Sequence, residues 1–455
     1  MTIQELSCIQ CGVRTPKYKR LVDALAAQIR SGRRPAGSRL PTHRELATAE
    51  GIALVTASRV YAELAAMGLV SNEQGRGTFV RDLSAAHEFD QLSVAVDAID
   101  LLFNSPSVPG QADLLRRALR ELAAAGDLES LLRYQPHRGR VQDREAVAQH
   151  LLRRGLSVGR ERVLMVNGAQ HGLAVAAMAL FQPGDVIAVD AITYPGMVVL
   201  AHTLRLELAP LPASDTGVDL DALDQLCRRR RVRGLYVIPT VHNPLGWVLP
   251  AAARERLVAI ARRYELAVVE DASYAYLAED PPPPLAMLAP ELTVYVSGLS
   301  KSVATGLRIG HVVAPERLVP AIERVIMATT WQTPGVTAAI ACRWLEDGTV
   351  DRLEVQKRAD ARQRQAITLA ALGELPSIGH PSSYVRWLPL PPDTRPDRIV
   401  AALARRRVAV STAAPYATTP VVPQALRLAI GSVPLAELEN AVLAVREEVE
   451  QDGNR

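Results

Sequence analysis

Residues 292–310 read LTVYVSGLSKSVATGLRIG. An apolar run is followed here by a short polar segment, which we call a polar word, with a single lysine, Lys301. Four other apolar runs of similar length also end in polar words. The five words are NGAQHGL at 167–173, AITYPG at 191–196, TVHNPLG at 240–246, DASY at 271–274 and GLSKS at 298–302. Because ligand-binding groups in open α/β sheets lie at the carboxyl ends of strands, these words predict one composite site.

Around these words, short apolar runs alternate with amphipathic helices from Asp100 onward. The alternation predicts βαβ units, and therefore an α/β fold with a doubly wound, mostly parallel sheet. A smaller α/β unit is expected from about residue 350, with SSYVRWLPL at 382–390 and ALRLAIG at 425–431 as strands around a helix. The length of 455 residues is also that of a chain with two or three domains.

The N-terminal part differs from the rest in charge. Residues 12–81 carry +7, and the remaining residues sum to −3. Helical patterns run from Tyr18 to Ser31, after the Thr42 and Glu45 capping box, and from about Leu54 to Met67. Two short strands with a Gly-Arg-Gly turn follow. This order predicts a winged helix-turn-helix, and the local charge predicts nucleic-acid contact.

Between the two parts, residues 82–99 show no periodicity, so we expect a linker between domains at 12–81 and 100–455. No apolar run approaches the ~18 residues that span a bilayer. The first residues also lack the pattern of a secretory signal, and we expect a cytoplasmic protein. Cys8 and Cys11 have CxxC spacing, but without a second close pair we expect no metal site.

Three words of the N-terminal part resemble the DNA-binding domain of the GntR family, over roughly residues 14–81. They are LPTHRELA at 40–47, VYAELAAMGLV at 60–70 and GRGTFV at 75–80. The resemblance implies that the third helix enters the major groove of operator DNA. A helical protein–protein module with a solvated basic face is the alternative.

The same resemblance implies five DNA-contacting side chains. They are Arg44 and Arg76 on phosphates, Thr56 and Ser58 facing the groove, and Arg59 as an assisting residue. Family members commonly have Ser-Arg just before the threonine of the recognition helix, whereas this chain has Ala53 and Leu54. The usual arginine contact to a base is therefore missing.

The five polar words resemble, in order and spacing, the large domain of fold-type I pyridoxal-phosphate aminotransferases, over about residues 100–449. With a GntR-type domain ahead of it, this is the domain pair of the MocR subfamily of transcription regulators. The resemblance implies that Lys301 bonds to the cofactor aldehyde and that Asp271 pairs with the pyridine nitrogen. It implies that Asn243 and Tyr274 hydrogen-bond to the ring hydroxyl.

Further contacts to pyridoxal phosphate follow from the same resemblance. They are implied at Gly168, Ala169, Gln170, Ser300, Arg308 and Tyr194. The first three lie at a strand-to-helix turn, where free N–H groups favour an anion, and Tyr194 stacks on the ring. Tyr134 matches a residue that reaches the phosphate of a neighbouring subunit, which implies a homodimer. At Gly298, relatives often have a Ser or Thr hydroxyl that this chain lacks.

Arg427, in ALRLAIG, matches the arginine that binds the substrate α-carboxylate as a bidentate pair. Its apolar neighbours predict a strand residue, and a buried arginine requires a partner. The alternative is a structural ion pair within the smaller unit.

Two functions fit these residues. The first is a transcription regulator that senses an amino compound, or pyridoxal phosphate itself, and alters its affinity for an operator. The second is a working aminotransferase with an accessory domain, in which Lys301, Asp271 and Tyr274 carry catalysis. Because an enzyme has no use for a basic winged helix, residues 12–81 favour the regulator.

Overall fold

The computed structural model describes residues 17–80, apart from 31–32, 36, 68 and 74–76, and residues 98–453, apart from 125–127, 215–216, 392–393 and 420. The helices are α1 Lys17–Arg30, α2 His43–Glu50, α3 Leu54–Ala66, α4 Gln111–Ala124, α5 Leu128–Leu131, α6 Val141–Arg153, α7 Ala169–Leu180, α8 Pro195–Thr203, α9 Leu220–Arg229, α10 Ala251–Arg263, α11 Leu285–Leu288, α12 Leu299–Ser302, α13 Val319–Thr329, α14 Gly335–Glu346, α15 Thr349–Leu372, α16 Pro396–Arg405 and α17 Leu435–Gly453. The strands are β1 Val70–Glu73, β2 Gly77–Val80, β3 Ile99–Asp100, β4 Val163–Val166, β5 Val186–Asp190, β6 Glu207–Leu211, β7 Ala213–Ser214, β8 Gly217–Val218, β9 Gly234–Val237, β10 Ala267–Asp271, β11 Thr293–Gly298, β12 Gly310–Val313, β13 Val385–Pro389, β14 Val408–Ala409, β15 Ser411–Thr412 and β16 Ala425–Ala429.

The first three helices and the β1–β2 hairpin form the expected winged helix-turn-helix, which we call the head (residues 17–80). The predicted capping box begins α2, because Thr42 Oγ1 accepts from the Glu45 N–H while the Glu45 carboxylate accepts from the Thr42 N–H. A buried apolar cluster joins the three helices. Arg39 pairs with Phe79 in a β-bridge, so the wing packs against the segment that leads into α2.

Residues 98–453, which we call the body, are built around a seven-stranded sheet with the order β4-β12-β11-β10-β9-β5-β6. Neighbouring strands run parallel, except that β12 is antiparallel to both β4 and β11. All five apolar runs that precede the polar words are strands of this sheet. Since the five run in one direction, their carboxyl ends lie at one edge.

Helices cover both faces of the sheet, as a doubly wound fold requires. In β4, Val163 and Met165 pack with α6 and α14, whereas Leu164 and Val166 pack with α7 and α13 on the opposite face. Successive side chains of a strand point to opposite faces, so a run that is apolar throughout is buried on both sides. This explains why the sheet strands lack polar alternation.

The smaller unit of the body includes α15, which begins at Thr349. Its strands form an antiparallel sheet with the order β13-β16-β15, packed with α15, α16 and α17. β3 pairs in parallel with β14, with Ile99 opposite Val408. Ile99, which the sequence assigned to the linker, therefore already belongs to the body, and Leu101 lies in the core of the smaller unit.

Ion pairs join the head to the smaller unit of the body. Arg395 Nη1 lies 2.5 Å from Asp23 Oδ1 in α1. Arg398, in α16, lies 3.2 Å from Glu63 in α3 and 3.3 Å from Asp452 in α17. The recognition helix α3 is thus tied to the body through its C-terminal half.

Membrane and metal features can be stated for the described residues alone. None of their helices combines the length and apolarity that a bilayer crossing needs. They contain no group of three His, Cys, Asp or Glu side chains placed to hold a metal ion. Cys8 and Cys11 lie outside the described residues.

Candidate functional site

Lys301 lies in α12, the single turn that follows β11 at the predicted edge of the sheet. Its Nζ donates a hydrogen bond to the backbone carbonyl of Asn104 at 2.6 Å. The Lys301 carbonyl accepts from the Tyr276 hydroxyl at 2.9 Å. The amine is therefore held against the chain segment that follows β3.

Lys357 is a second lysine beside this site. Its ammonium is fully buried and donates to the carbonyl oxygens of Pro106, Lys301 and Val303 at 2.9, 3.1 and 2.6 Å. Burial lowers the pKa of Lys357 to about 7, and the charge of Lys301 acts in the same direction. Sequence reasoning missed this residue because α15 carries charged residues along its whole length, which hides an interior lysine.

Asp271 ends β10 and is buried. Its Oδ2 accepts from the Tyr236 hydroxyl at 2.9 Å, and its Oδ1 accepts from the N–H and the hydroxyl of Ser273 at 2.9 and 2.6 Å. Burial raises the pKa of Asp271, and these donors oppose that shift. Three hydrogen bonds thus hold one carboxyl group in a single orientation at the strand end.

A buried acid–imidazole pair lies at the same edge. His242 Nε2 is 3.4 Å from Asp190 Oδ2, and neither atom has a hydrogen-bond partner among the described residues. The imidazole packs against the Trp247 ring, with ring centroids 4.0 Å apart and the planes tilted by 33°. A charge on His242 also lowers the pKa of Asp271. Sequence reasoning missed both residues, although Asp190 ends an apolar run and His242 precedes Asn243.

The turn from β4 into α7 brings several anion-binding groups together. Gly168 caps α7 with φ 82°, and a Cβ built there would lie 2.7 Å from the Arg308 guanidinium. Arg308 donates to Ser300 Oγ and to the Asn167 carbonyl, both at 3.2 Å. The first N–H groups of α7, including that of Ala169, lie at this helix N-terminus. Such a cradle suits a phosphate.

Gly298 borders the same cradle. A Cβ built on it would lie 3.0 Å from the Ile309 carbonyl, 3.2 Å from Gly310 Cα and 3.3 Å from the Ala169 nitrogen. Glycine therefore allows β11 and β12 to approach the start of α7 closely. A Ser or Thr here would require these backbone groups to move apart by a few tenths of an ångström.

Tyr194 and Gln170 connect the cradle to α8. Gln170 Nε2 donates to the Gly196 carbonyl at 3.0 Å, which ties the start of α7 to the start of α8. Tyr194 directly precedes α8, and burial raises the pKa of its hydroxyl. The charge of Asp271 raises that pKa further. The two predicted residues thus lie at the edge that also holds Asp271.

Asn243 and Tyr274 are both buried at this edge. Asn243 Oδ1 has no hydrogen-bond partner among the described residues. The Tyr274 hydroxyl accepts from Asn104 Nδ2 at 3.4 Å. An orphan acceptor in a buried position needs a donor, since an unpaired polar atom is costly.

Arg427 lies in β16, where it is 4% exposed. Its Nη1 donates to the Leu102 carbonyl at 2.7 Å, and its guanidinium carbon lies 5.6 Å from the centre of the Tyr416 ring. Its Nε is buried without a partner, and among the described residues no carboxylate pairs with Arg427. The structural ion pair that the sequence left open is therefore not found there.

Tyr134 is not brought to the rest of the site within one chain. It is 84% exposed, and the centroid of its ring lies 5.7 Å from that of Trp331. Leu132 beside it is 86% exposed. The surface around Tyr134 is therefore open, and its exposed apolar side chains lie beside the exposed Arg133–Glu129 ion pair.

In the head, the starts of α2 and α3 and the wing enclose a recess of about 460 Å³. Arg39, Arg44, Leu54 and Ser58 are among its lining residues. His43 Nδ1 lies 3.0 Å from Ser58 Oγ, and both residues line the recess. Sequence reasoning missed Arg39, whose exposed guanidinium comes to this surface through its bridge to the wing.

The other predicted DNA contacts differ in position. Thr56 is half-buried in the first turn of α3. The guanidinium carbon of Arg59 lies 4.2 Å from the centre of the Tyr18 ring, so Arg59 packs on α1 and does not line the recess. Arg76 lies outside the described residues.

Known proteins resemble both parts of the chain. Residues 96–445 match aminotransferases of class I and II, and residues 17–80 match the gntR family of bacterial regulatory proteins. The uncharacterized HTH-type transcriptional regulator YdeF of Bacillus subtilis is 28% identical over 95% of this chain and 94% of its own. The HTH-type pyridoxine biosynthesis transcriptional regulator PdxR of Corynebacterium glutamicum is 27% identical over 84% of each chain.

Among solved structures, the α-aminoadipate aminotransferase LysN of Thermus thermophilus, complexed with N-(5'-phosphopyridoxyl)-L-leucine, has a similar fold. The TM-score is 0.72 at 24% identity, over 78% of this chain and 93% of LysN. The likeness confirms the predicted fold type, and the two matches confirm the predicted pair of domains. The chain belongs to the aminotransferase class I and II family and carries a gntR-family regulatory domain ahead of the aminotransferase-like body.

Proposed function

We propose that the protein is a pyridoxal-phosphate-dependent transcription regulator, in which the head binds operator DNA and the body senses an amino compound. One observation carries the proposal: the basic recess of the head and the Lys301–Asp271–Arg427 site of the body occur in a single chain. The relatives named as regulators match this chain over most of their length.

The residues at the sheet edge fit pyridoxal phosphate. When bound, this cofactor supplies an aldehyde that reacts with primary amines and a ring that withdraws electrons. The α7 N-terminus, Ser300 and Arg308 would hold its phosphate. Asn243 Oδ1, which lacks a donor among the described residues, would accept from the ring hydroxyl. Asp271 would keep the ring nitrogen protonated, and Lys301 offers the amine.

The surrounding residues would keep these groups in place. Tyr236 and Ser273 hydrogen-bond to the Asp271 carboxyl group, so its two oxygens keep one orientation. Lys357 holds the carbonyl oxygens of Lys301 and Val303, within and directly after the turn that carries the amine. Because these side chains are already ordered, less conformational entropy is lost when a ligand binds.

The ligand that we propose has a carboxylate as well as a primary amine. Arg427 is buried, hydrogen-bonds to a backbone carbonyl and has an unpaired Nε. A guanidinium in that state gains most from a planar anion, which it can bind through two parallel hydrogen bonds. An amino acid satisfies both Arg427 and Lys301, and the alternative ligand is pyridoxal phosphate alone.

Residues 101–105, which we call the strap, would pass ligand binding on toward the head. The strap follows the linker and β3, and its carbonyl oxygens accept from Arg427 at Leu102 and from Lys301 at Asn104. An aldehyde at Lys301 competes with the bond to Asn104, and a carboxylate on the Nε side of Arg427 pulls on the guanidinium that holds Leu102. Ligand binding therefore changes the hydrogen bonds that hold the strap, which lies near the start of the body.

We propose that the regulator is a homodimer. Leu132 and Tyr134 are more than four-fifths exposed, and Trp331 lies beside Tyr134. Large apolar side chains grouped on a surface mark interaction sites. With a second copy over this surface, the family resemblance implies that Tyr134 would reach the phosphate of the neighbouring subunit. A winged-helix dimer would then read two half-sites.

The experiment is a titration of the purified chain with pyridoxal phosphate, followed by near-visible absorbance and by binding to a duplex selected from a random library. We expect a yellow complex whose absorbance band is lost in Lys301→Ala, with the fold unchanged by circular dichroism. A chain that retains no cofactor would contradict the body's role, and a chain that selects no duplex would contradict the head's. Sustained amino-acid turnover without any effect on DNA affinity would favour an aminotransferase.

A further inference from the structure

Two exposed apolar side chains stand on the first turn of the recognition helix α3. Leu54 is 46% exposed and Val55 is 80% exposed. The buried residues of the same helix, Ala57, Val60 and Leu64 among them, pack into the head's core. Leu54 and Val55 therefore face away from that core, at the opposite end of the helix from Glu63, which pairs with the body.

Their surroundings are polar and positive. Leu54 lines the recess that also holds Arg39, Arg44 and Ser58. Positive charge around an open recess complements the phosphates of duplex DNA. The charge complementarity of this surface thus identifies DNA as the partner that would cover the apolar pair.

We propose that Leu54 and Val55 read thymine methyl groups in the major groove of the operator. This inference rests on the proposed function. Among base edges in the major groove, thymine alone presents a methyl group, whereas guanine, cytosine and adenine are distinguished by their hydrogen-bond donors and acceptors. Leucine and valine side chains form no hydrogen bonds, so a guanine or cytosine edge against them would lose water without a new partner.

The same reasoning explains the residue at position 54. An arginine there would bind guanine O6 and N7 as a bidentate pair. With Leu54 and Val55 in its place, the turn selects an A·T pair through the methyl group. A contact between Arg44 and a phosphate does not distinguish one base from another. The base preference at the contacted base pair is therefore set by Leu54 and Val55.

The test uses the full-length protein and a random duplex library. Selection is expected to give a thymine at a fixed place in each half-site. The selected duplex is then made with deoxyuridine at that place, which removes the methyl group and keeps every hydrogen bond of the base pair. Wild-type affinity should fall about fourfold for each methyl removed, the equivalent of burying one methyl group.

Variants separate this readout from general DNA binding. Leu54→Ser with Val55→Ser should bind the thymine and deoxyuridine duplexes equally. Arg44→Ala, the matched control, should weaken binding to both and keep their ratio. Leu54→Arg should select guanine in place of thymine.

The outcomes distinguish this inference from the proposed function. Equal wild-type affinity for the thymine and deoxyuridine duplexes would overturn the inference and leave DNA binding intact. Selected sites without a conserved thymine would do the same. A protein that binds no duplex would overturn both proposals.

Discussion

At the scale of single residues, buried ionisable side chains near the strand ends differ in how they are compensated. Glu270 accepts from the N–H groups of Leu285 and Ala286 at 3.1 and 2.9 Å, and burial raises its pKa to about 7. His311, in β12, is 3% exposed, and its Nε2 has no partner among the described residues. Burial and the charge of Arg154 lower the pKa of His311 to about 3. The folded body therefore accepts this imidazole in its neutral form.

We predict that His311 makes the body sensitive to acid. Its folded-state pKa of about 3 lies below the ordinary value of 6.5, so the unfolded chain binds more protons between these pH values. The contribution of His311 to the free energy of unfolding is therefore about 2 kcal/mol lower at pH 5 than at pH 7.5. His311→Phe keeps a ring against Tyr295 but has no group that titrates. When the pH falls from 7.5 to 5, its free energy of unfolding in denaturant should therefore decrease by about 2 kcal/mol less than that of the wild type. Equal losses in both proteins would contradict the prediction.

Single residues also show what the sequence could predict about the site. Lys301, Asp271 and Asn243 were predictable because each follows an apolar strand, and strand ends of one direction meet at one edge. Lys357 could not be predicted, because it is held by three backbone carbonyl groups that lie far from it in the sequence. Arg427 was predictable as a buried strand residue, but its bond to Leu102 required the fold.

At the scale of elements, the strap is bonded to two site residues and to a further side chain. Besides Lys301 and Arg427, it is held by Ser432, whose hydroxyl donates to the Phe103 carbonyl at 2.6 Å and accepts from the Ser105 N–H at 2.8 Å. Ser432 contacts no proposed ligand group. It therefore offers a way to loosen the strap without altering the site.

We predict that Ser432→Ala weakens the coupling between the body and the head. Cofactor absorbance and basal DNA affinity should remain, whereas the ligand-induced change in DNA affinity, about 5- to 150-fold for typical allosteric coupling, should fall severalfold. Fluorescence anisotropy of a labelled duplex with and without amino acid measures this change. Ser383→Ala, a buried serine of the smaller unit that does not touch the strap, is the matched control. An undiminished response in Ser432→Ala would argue against the strap as the route.

Elements also differ in how far the sequence predicted them. The capping box and the continuous apolar strands carry strong local signals. β12 and β6 were missed. β12 has four residues directly after a turn, and β6 is an edge strand with exposed Glu207 and with Pro210, which central strands do not tolerate. The pairing of Ile99 with Val408 joins residues some three hundred positions apart, which local pattern cannot reveal.

At the scale of the whole molecule, two connections between the head and the body bear on coupling. One is covalent, because the chain continues from the head through residue 98 into β3 and the strap. The other is ionic, through Arg395 with Asp23 and Arg398 with Glu63. Both reach the smaller unit, which also carries Arg427. A ligand that engages Arg427 therefore acts on the unit to which the head is attached.

The central claim is that ligand binding in the body and DNA binding by the head are coupled, and coupling is reciprocal. The most direct test titrates the cofactor-loaded protein with a panel of amino acids and follows near-visible absorbance, with and without the selected duplex. We predict that the duplex shifts the amino-acid midpoint, and that the amino acid shifts the duplex midpoint by the same factor. In Arg427→Ala the cofactor should stay bound, and the amino-acid midpoint should rise by about two to three orders of magnitude. Amino-acid midpoints that are identical with and without the duplex would contradict the claim.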